Sequence, residues 1–204
     1  MYNKIILASS SSRRITLLKE WGLSFDVVPS KIDEKTSFTK PSYLVKSLAY
    51  QKGRFIADKY PNSLVISADT IVVLNGRIIG KPKSKKASER IVRELNGSTH
   101  EVYTGVALIC KDKETIFYDI ACVKMKKLPE VELKKFFGKH MDKAGSYAVQ
   151  DSDDSFVDKI SGDYYTVVGL PYIKLIKELK KFGVKLSIKK DLFRNAALCV
   201  SEGL

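Results

Sequence analysis

The chain has 204 residues, a hydrophobic fraction of 44% and a formal net charge of +13. These values are typical of a globular protein of one large domain or two small lobes, and no apolar run approaches the roughly 20 residues of a membrane span. The positive charge comes from 29 lysines spread along the chain and only 7 arginines, which favours a solvated surface over a specific nucleic-acid interface.

The first apolar run, Ile5 to Ala8, predicts a buried strand, and four serines then lead into Arg13 and Arg14. The apolar spacing that follows predicts a helix that stops at Gly22. Backbone N–H groups, hydroxyls and guanidinium groups at the start of a helix are typical of an anion site, here for a polyphosphate. The alternative is a cluster of N-cap serines followed by two solvated arginines.

The next elements alternate between strands and helices. Asn75-Gly76 is a strong hairpin signal. Up to this hairpin and its return, the patterns predict a strand at 24–28, a polar loop at 30–40, a helix opened by Pro41 with Leu44, Leu48 and Phe55 on one face, strands at 64–68 and 71–74 interrupted by Asp69-Thr70, and a returning strand at 77–79.

The second half continues this alternation. The patterns predict a helix capped by Ser84 and stopped by Gly97, a long hairpin of 100–109 and 115–125, a short helix from Pro129 to about Gly138, a polar loop at 142–155, a strand at 156–160 and a helix from Pro171 with Leu175, Ile176 and Leu179 inward. Because helices and hairpins interleave, we expect an α/β fold with a mixed sheet.

Several polar residues interrupt this pattern. Asp69 lies within an apolar run, where a carboxylate costs stability unless it is paired, hydrogen-bonded or holds a metal. A satisfied structural aspartate is the alternative for Asp69. For Glu34, Lys52 and Lys81, taken one at a time, the default interpretation is exposure to solvent.

The residues together favour one class of reaction. They include a polyphosphate-type loop, several cationic side chains and at least two carboxylates, whereas a histidine base, a reactive cysteine and a GxxxxGK[ST] loop are absent from the sequence. His100 and His140 lack the partners of a metal pair or a catalytic triad. This combination suits attack by water on a phosphoanhydride, assisted by a divalent cation held on carboxylates.

Eight segments between Lys4 and Phe182 resemble the Maf (septum-formation-type) nucleotide pyrophosphatases. They are Leu7-Ala8-Ser9-Ser10-Ser11-Ser12-Arg13-Arg14, Asp33-Glu34, 49–52, Ala68-Asp69-Thr70, Gly80-Lys81-Pro82, 100–105, 143–150 and 162–171. The resemblance implies a mixed, twisted sheet flanked by helices, in two lobes around an active-site cleft, as in inosine-triphosphatase-like proteins. Residues 1–183 then form one catalytic domain, and 184–204 are a C-terminal extension of unknown role.

The resemblance also implies a cytoplasmic enzyme, often a homodimer, that cleaves a nucleoside triphosphate to the monophosphate and pyrophosphate with Mg²⁺ or Mn²⁺. Asp69 would be the proton acceptor, and Glu34 and Asp69 would hold the metal. The phosphates would be bound by Ser9, Arg13, Arg14, Lys52 and Lys81, and base preference would depend on Arg13, Thr70 and Gln150.

The segments 147–150 and 164–171 are similar to the branch that acts on dTTP and UTP, which implies removal of non-standard pyrimidine nucleotides. The alternatives are the branch that acts on 7-methyl-GTP, which usually carries glutamate at the position of Gln150, and a nucleotide-binding division regulator without significant catalysis. Asp151 to Asp154 depart from the family pattern and add negative charge beside Gln150. This departure concerns the recognition of the base and not the catalytic residues.

Overall fold

The computed structural model describes residues 2–111, 113–149, 156–184 and 186. Within these residues, helices and strands alternate as the sequence predicts. The strands are β1 (Lys4–Leu7), β2 (Asp26–Val27), β3 (Ser63–Leu74), β4 (Arg77–Ile79), β5 (Thr99–Cys110), β6 (Lys113–Met125) and β7 (Val157–Ser161). The helices are α1 (Ser12–Glu20), α2 (Pro41–Ala57), α3 (Lys85–Leu95), α4 (Glu130–Leu133), α5 (Tyr164–Val168) and α6 (Tyr172–Lys181), with 3₁₀ turns at Lys134–Phe136 and Ala144–Ser146.

The described strands form one mixed sheet in the order β2-β1-β3-β5-β6-β7, and β4 pairs with the far end of β3. β1 is parallel to both β2 and β3, whereas β3, β5, β6 and β7 are successively antiparallel. The mixed α/β sheet flanked by helices is therefore confirmed. No helix in the described part of the chain combines the length and the apolar character that a membrane span requires.

β3 is the central strand, and it is continuous. The predicted interruption at Asp69-Thr70 is wrong, because both residues keep their pairing with β5: Asp69 lies opposite Gly105, and Thr70 lies opposite Thr104. The polar residues instead mark the point where the two faces of the strand become accessible. Since side chains alternate along a strand, Asp69 and Thr70 point to opposite faces of the sheet.

The helices cover both faces of the sheet. Helix α2 packs on the face of Asp69 through apolar residues that include Ala49 and Ile56, against Val65, Ala107 and Ile109 of the strands. On the opposite face, α1 and α6 enclose one core around Leu18, Trp21, Ile66, Leu108 and Leu175, and α3 encloses a second around Val72, Ile91, Val92, Val102 and Phe136.

Two details differ from the sequence-based expectation. The buried face of α2 runs through Val45, Leu48, Ala49 and Ile56 rather than along Leu44, Leu48 and Phe55, because the helix lies against the sheet on small residues. Helix α5 was not predicted, since its five residues are too few to show a helical period. Val184, the first residue of the expected C-terminal extension, is only 6% exposed and belongs to the core that α1 and α6 enclose. Leu186 packs beside this core.

Candidate active site

A cleft of about 350 Å³ opens where β1, β3 and the loop after β1 meet. All of the site residues that the sequence predicts within the described ranges line this cleft: Ser9, Arg13, Arg14, Glu34, Lys52, Asp69, Thr70 and Lys81. Gln150 and the acidic stretch Asp151 to Asp154 lie outside the described residues. The fold therefore brings together side chains that are up to 72 positions apart in the sequence, from Ser9 to Lys81.

The loop between β1 and α1 forms one wall of the cleft. Ser9 is buried, and its Oγ accepts hydrogen bonds from the backbone N–H of Ser11 and from Nη1 of Arg14, both at 3.2 Å. Ser11 occupies the N-cap of α1, but its side chain makes no capping hydrogen bond. The alternative of capping serines followed by two solvated arginines is therefore wrong for Ser11 and Arg14.

Arg14 organises the cleft floor. Its Nε donates to the carbonyl oxygen of Gly169 at 3.0 Å, and its Nη2 donates to Oγ1 of Thr70 at 3.0 Å. With the bond to Ser9, these contacts occupy three of the five guanidinium N–H groups, and two have no partner among the described residues and can meet a ligand. Burial lowers the pKa of Arg14 to about 10, and the negative charge of Asp69 opposes this shift. Arg14 therefore stays cationic at neutral pH.

Lys52 lies between two carboxylates. Its Nζ is 2.6 Å from Oδ1 of Asp69 and 2.9 Å from Oε1 of Glu34. The side chains of Lys52 and Asp69 are only 14% and 13% exposed, whereas that of Glu34 is 42% exposed. Asp69 is thus a paired carboxylate that lines the cleft, and its partner is a lysine for which the default interpretation was exposure to solvent.

Two glycines allow this pairing. A Cβ on Gly105 would lie 2.3 Å from the carbonyl oxygen of Val45, and a Cβ on Gly53 would lie 2.5 Å from Oγ of Ser67. Real Cβ atoms do not approach so closely, so only glycine lets α2 settle this near to the sheet. Since Gly105 is the cross-strand partner of Asp69, the close approach of α2 is what places Lys52 within reach of that carboxylate.

Arg13 and Lys81 complete the cationic side of the cleft. Lys81 follows β4 and is exposed at the rim, while Arg13 is half-buried in the first turn of α1. Asp142, which sequence reasoning missed, also lines the cleft. Burial acts to raise the pKa of Asp142, but its hydrogen bond from Lys143 and the charges of Lys143 and Arg13 lower it overall. Asp142 is therefore held as an anion beside the arginines.

The other end of the cleft lies on the Thr70 face of β3 and is largely apolar. Its walls are formed by Val72, Val102, Ala144, Tyr147, Val149 and Val167. The hydroxyl group of Tyr147 is 2.7 Å from Nε2 of His100, which is only 2% exposed. Burial lowers the pKa of His100 to about 4, so the imidazole is neutral at physiological pH. Side chains alternate along a strand, so His100, four residues before Thr104 on β5, lies on the same sheet face as Thr104 and Thr70. This alternation is the sequence signal that could have placed His100 here.

The carboxylates fit a divalent cation of the Mg²⁺ type. In the described part of the chain, no group of three or more His, Cys, Asp or Glu side chains forms a ready-made metal cage. Mg²⁺, however, is usually held by one or two carboxylates together with phosphate oxygens of a substrate and waters. Glu34 and Asp69 supply two such carboxylates, and both face the same Nζ of Lys52.

The cleft thus has a cationic end rich in hydroxyls, a pair of carboxylates and an apolar end. This arrangement defines an α/β protein built to bind a molecule with a polyphosphate at one end and a flat or apolar group at the other. Comparison with known proteins gives the family: the model described as "Maf-like protein" matches residues 4–182. The chain belongs to the Maf-like family.

Named relatives are similar over nearly the whole chain. A dTTP/UTP pyrophosphatase of Elusimicrobium minutum (strain Pei191) is 46% identical over 182 residues, which cover 88% of this chain and 99% of the relative. A dTTP/UTP pyrophosphatase of Bacillus anthracis (strain CDC 684 / NRRL 3495) is 43% identical, covering 90% and 98%. Among solved structures, the Staphylococcus aureus Ham1 protein matches with a TM-score of 0.53 and 15% identity, covering 89% of this chain and all of that one. That structural match concerns the fold alone.

Proposed function

We propose that this chain is a nucleoside triphosphate pyrophosphatase that hydrolyses UTP and dTTP, and modified pyrimidine nucleotides like them, to the monophosphate and pyrophosphate. The observation that carries the proposal is the pairing of Lys52 with both Asp69 and Glu34 beside the serine–arginine loop. The names of the relatives that are 43–46% identical support the same activity and the same substrates.

In this proposal the cationic end of the cleft binds the triphosphate. Arg13, Lys81 and the two remaining N–H groups of Arg14 neutralise phosphate oxygens, and Ser9 keeps the loop in shape through its bond to Arg14. Fixed charges that face the phosphates stabilise the negative charge that builds up on the leaving pyrophosphate. The phosphate contacts of Arg14 and Lys81 act on all triphosphates alike, because phosphates carry no information about the base.

Asp69 is the proposed proton acceptor. It takes a proton from water as the water oxygen bonds to the α-phosphorus, the bond from that phosphorus to the α–β bridging oxygen breaks, and pyrophosphate leaves. Lys52 holds the carboxylate in place, with its Nζ 2.6 Å from Oδ1 of Asp69. Its own positive charge would also lie close to the phosphates. Glu34 and Asp69 would hold the divalent cation, Mg²⁺ or Mn²⁺, which when bound neutralises charge on phosphate oxygens.

The apolar end supports a preference for pyrimidine bases. Its wall of valine, alanine and tyrosine side chains lies on the same sheet face as Thr70. A pocket shaped for the smaller ring excludes purines by steric clash as well as by unpaired polar groups. The expected contribution of Gln150 stays a prediction.

Product analysis tests the proposal. Purified protein with Mg²⁺ should release pyrophosphate and UMP from UTP. Release of orthophosphate would indicate a phosphatase, turnover of 7-methyl-GTP alone would indicate the other branch, and binding without turnover would indicate a regulator. Binding of Mn²⁺, followed by electron paramagnetic resonance in the absence of substrate and in the presence of UMP, checks the metal ligands independently of activity.

A matched pair of variants sharpens the test. Glu34→Gln removes a carboxylate paired with Lys52, whereas Asp33→Asn changes its neighbour, which is 81% exposed and paired only with Lys35 among the described residues. The Glu34 variant should weaken Mn²⁺ binding and turnover, and the Asp33 variant should do neither. Equal effects of both variants would contradict the assignment of Glu34.

Two further expectations concern the assembly and its location. We propose a homodimer in the cytoplasm, which the resemblance to the family supports. Light scattering coupled to size-exclusion chromatography measures the oligomeric state, and cell fractionation checks the location.

A further inference from the structure

A chain of hydrogen bonds leads from the cleft into the sheet through two threonines. Nη2 of Arg14 donates to Oγ1 of Thr70 at 3.0 Å, and Oγ1 of Thr70 is 2.9 Å from Oγ1 of Thr104. The hydroxyl group of Thr104 in turn contacts the carbonyl oxygen of Thr166 at 2.7 Å. Thr104 and Thr166 are fully buried, whereas Thr70 lines the cleft.

The direction of each hydrogen in this chain follows from its two ends. A carbonyl oxygen only accepts, so the single hydroxyl hydrogen of Thr104 goes to Thr166. Thr104 therefore cannot donate to Thr70, and the hydrogen between the two hydroxyl groups belongs to Thr70. At the other end, the guanidinium group of Arg14 only donates, and it occupies one lone pair of Thr70.

Among the residues that the structure describes, Thr70 consequently has one hydrogen-bonding position without a partner, and that position is a lone pair. We infer that Thr104 is a specificity-determining positioning residue: by taking the hydrogen of Thr70, it makes Thr70 an acceptor only, so the substrate group that meets Thr70 must be a hydrogen-bond donor. This inference rests on the proposed function. The buried site of Thr104 keeps the polarity fixed, because no water competes for its hydroxyl.

A nucleoside offers such a donor in two places. Uracil and thymine carry one ring N–H on their pairing edge, and the sugar carries hydroxyl groups. Cytosine has an unprotonated acceptor nitrogen where uracil has N3–H, and a 2′,3′-dideoxy sugar lacks both hydroxyl groups. Thr70 is bonded to Arg14 of the cationic end and shares its sheet face with Val72 of the apolar end. It therefore lies where the two ends meet, next to the part of the cleft that would take the sugar and the base.

The experiment compares kcat/KM for UTP with that for CTP, which tests the base donor, and for 2′,3′-dideoxy-UTP, which tests the sugar donor. We expect the wild-type protein to lose about tenfold or more in at least one comparison. Thr104→Val removes the acceptor, so the hydroxyl hydrogen of Thr70 can turn toward the substrate. The drop in kcat/KM from UTP to the discriminated substrate should then be smaller than in the wild type. Thr104→Ser keeps the hydroxyl and should restore the wild-type ratio.

Ser67→Ala is the matched control. Ser67 lies on β3, is fully buried and donates to a backbone carbonyl, that of Ala49, at 2.7 Å, but on the opposite face of the sheet. Its variant loses the same kind of buried bond without touching Thr70, so its substrate ratios should equal those of the wild type. If Thr104→Val fails to fold, as judged by circular dichroism, Thr104→Ala makes the same comparison with less bulk.

Two outcomes overturn the inference. One is a wild-type protein that shows no loss in either comparison, and the other is a loss that Thr104→Val or Thr104→Ala leaves unchanged while lowering turnover of all substrates equally. Calorimetric binding of UMP, CMP and 2′,3′-dideoxy-UMP gives the same ratios without turnover. Discrimination in binding without release of pyrophosphate would refute the proposed function and retain the inference, whereas an active protein with unchanged ratios would refute the inference alone.

Discussion

The buried imidazole of His100 should make the stability of this protein depend on pH. Its pKa is lowered from 6.5 to about 4 by burial, and its Nδ1 has no hydrogen-bond partner among the described residues. Between these two values the unfolded chain binds a proton on this side chain and the folded protein does not. Stability is therefore fully present above about pH 6.5 and falls as the pH decreases toward about 4.

The size of the effect follows from the shift. A difference of about 2.5 pKa units corresponds to about 3 kcal/mol of unfolding free energy. That is a large part of the roughly 5–15 kcal/mol that stabilises a typical domain. The group is only 2% exposed, so solvent screens little of this energy.

Urea denaturation of the wild type and of His100→Gln at several pH values measures this change in unfolding free energy. Glutamine keeps an amide that can contact Tyr147 but does not titrate, and all other groups titrate alike in both proteins. The wild-type advantage should therefore shrink by about 3 kcal/mol between about pH 7 and about pH 4. A difference between the two proteins that is the same at both ends of this range would refute the reasoning.

Three further predictions follow from the site and its supports. Asp69→Asn should keep the fold and lower kcat for UTP by about 10²–10⁴-fold, since it removes the proton acceptor; turnover close to that of the wild type would make Asp69 structural. Gly105→Ala should destabilise the protein by at least about 1–3 kcal/mol in thermal or urea unfolding, because its Cβ would meet the Val45 carbonyl at 2.3 Å. Gly80→Ala is the control and should unfold like the wild type, because a Cβ on Gly80 meets nothing within 4 Å. Removal of 187–204 should leave kcat/KM unchanged, because the described cleft residues lie upstream of Val168; loss of activity in well-folded truncated protein would place the extension at the site.

The two faces of β3 divide the work of the cleft. Asp69 and Thr70 are adjacent in sequence, but one contacts Lys52 of α2 and the other contacts Arg14 of α1. Arg14 also donates to the carbonyl oxygen of Gly169, the C-cap residue of α5, which has a positive φ of 117°. A single strand thus joins the proposed chemistry on one face to the proposed recognition of the base on the other.

Local patterns in the sequence were sufficient for most elements. The hairpin at Asn75-Gly76, where both residues adopt positive φ, and the helix cap at Ser84, whose Oγ accepts from the N–H of Ala87, depend on neighbours only a few residues away. The alternation of side chains along β3 also requires that Asp69 and Thr70 face opposite ways. These features depend on interactions between residues that are close in sequence, so they can be predicted from the sequence.

Tertiary structure decided which of the candidate polar residues meet. Local pattern does not separate Glu34 from Asp33, and only the family resemblance singled out Glu34. In the structure Glu34 pairs with Lys52, whereas Asp33 is 81% exposed and pairs with Lys35. The meeting of Lys52 and Asp69 depends on Gly105, 53 positions after Lys52, because its missing side chain lets α2 approach the sheet. The pairing of His100 with Tyr147 and the polarity of Thr70 likewise depend on strand register and on buried carbonyl groups. Such contacts are non-local, and a pattern confined to one segment carries no information about them.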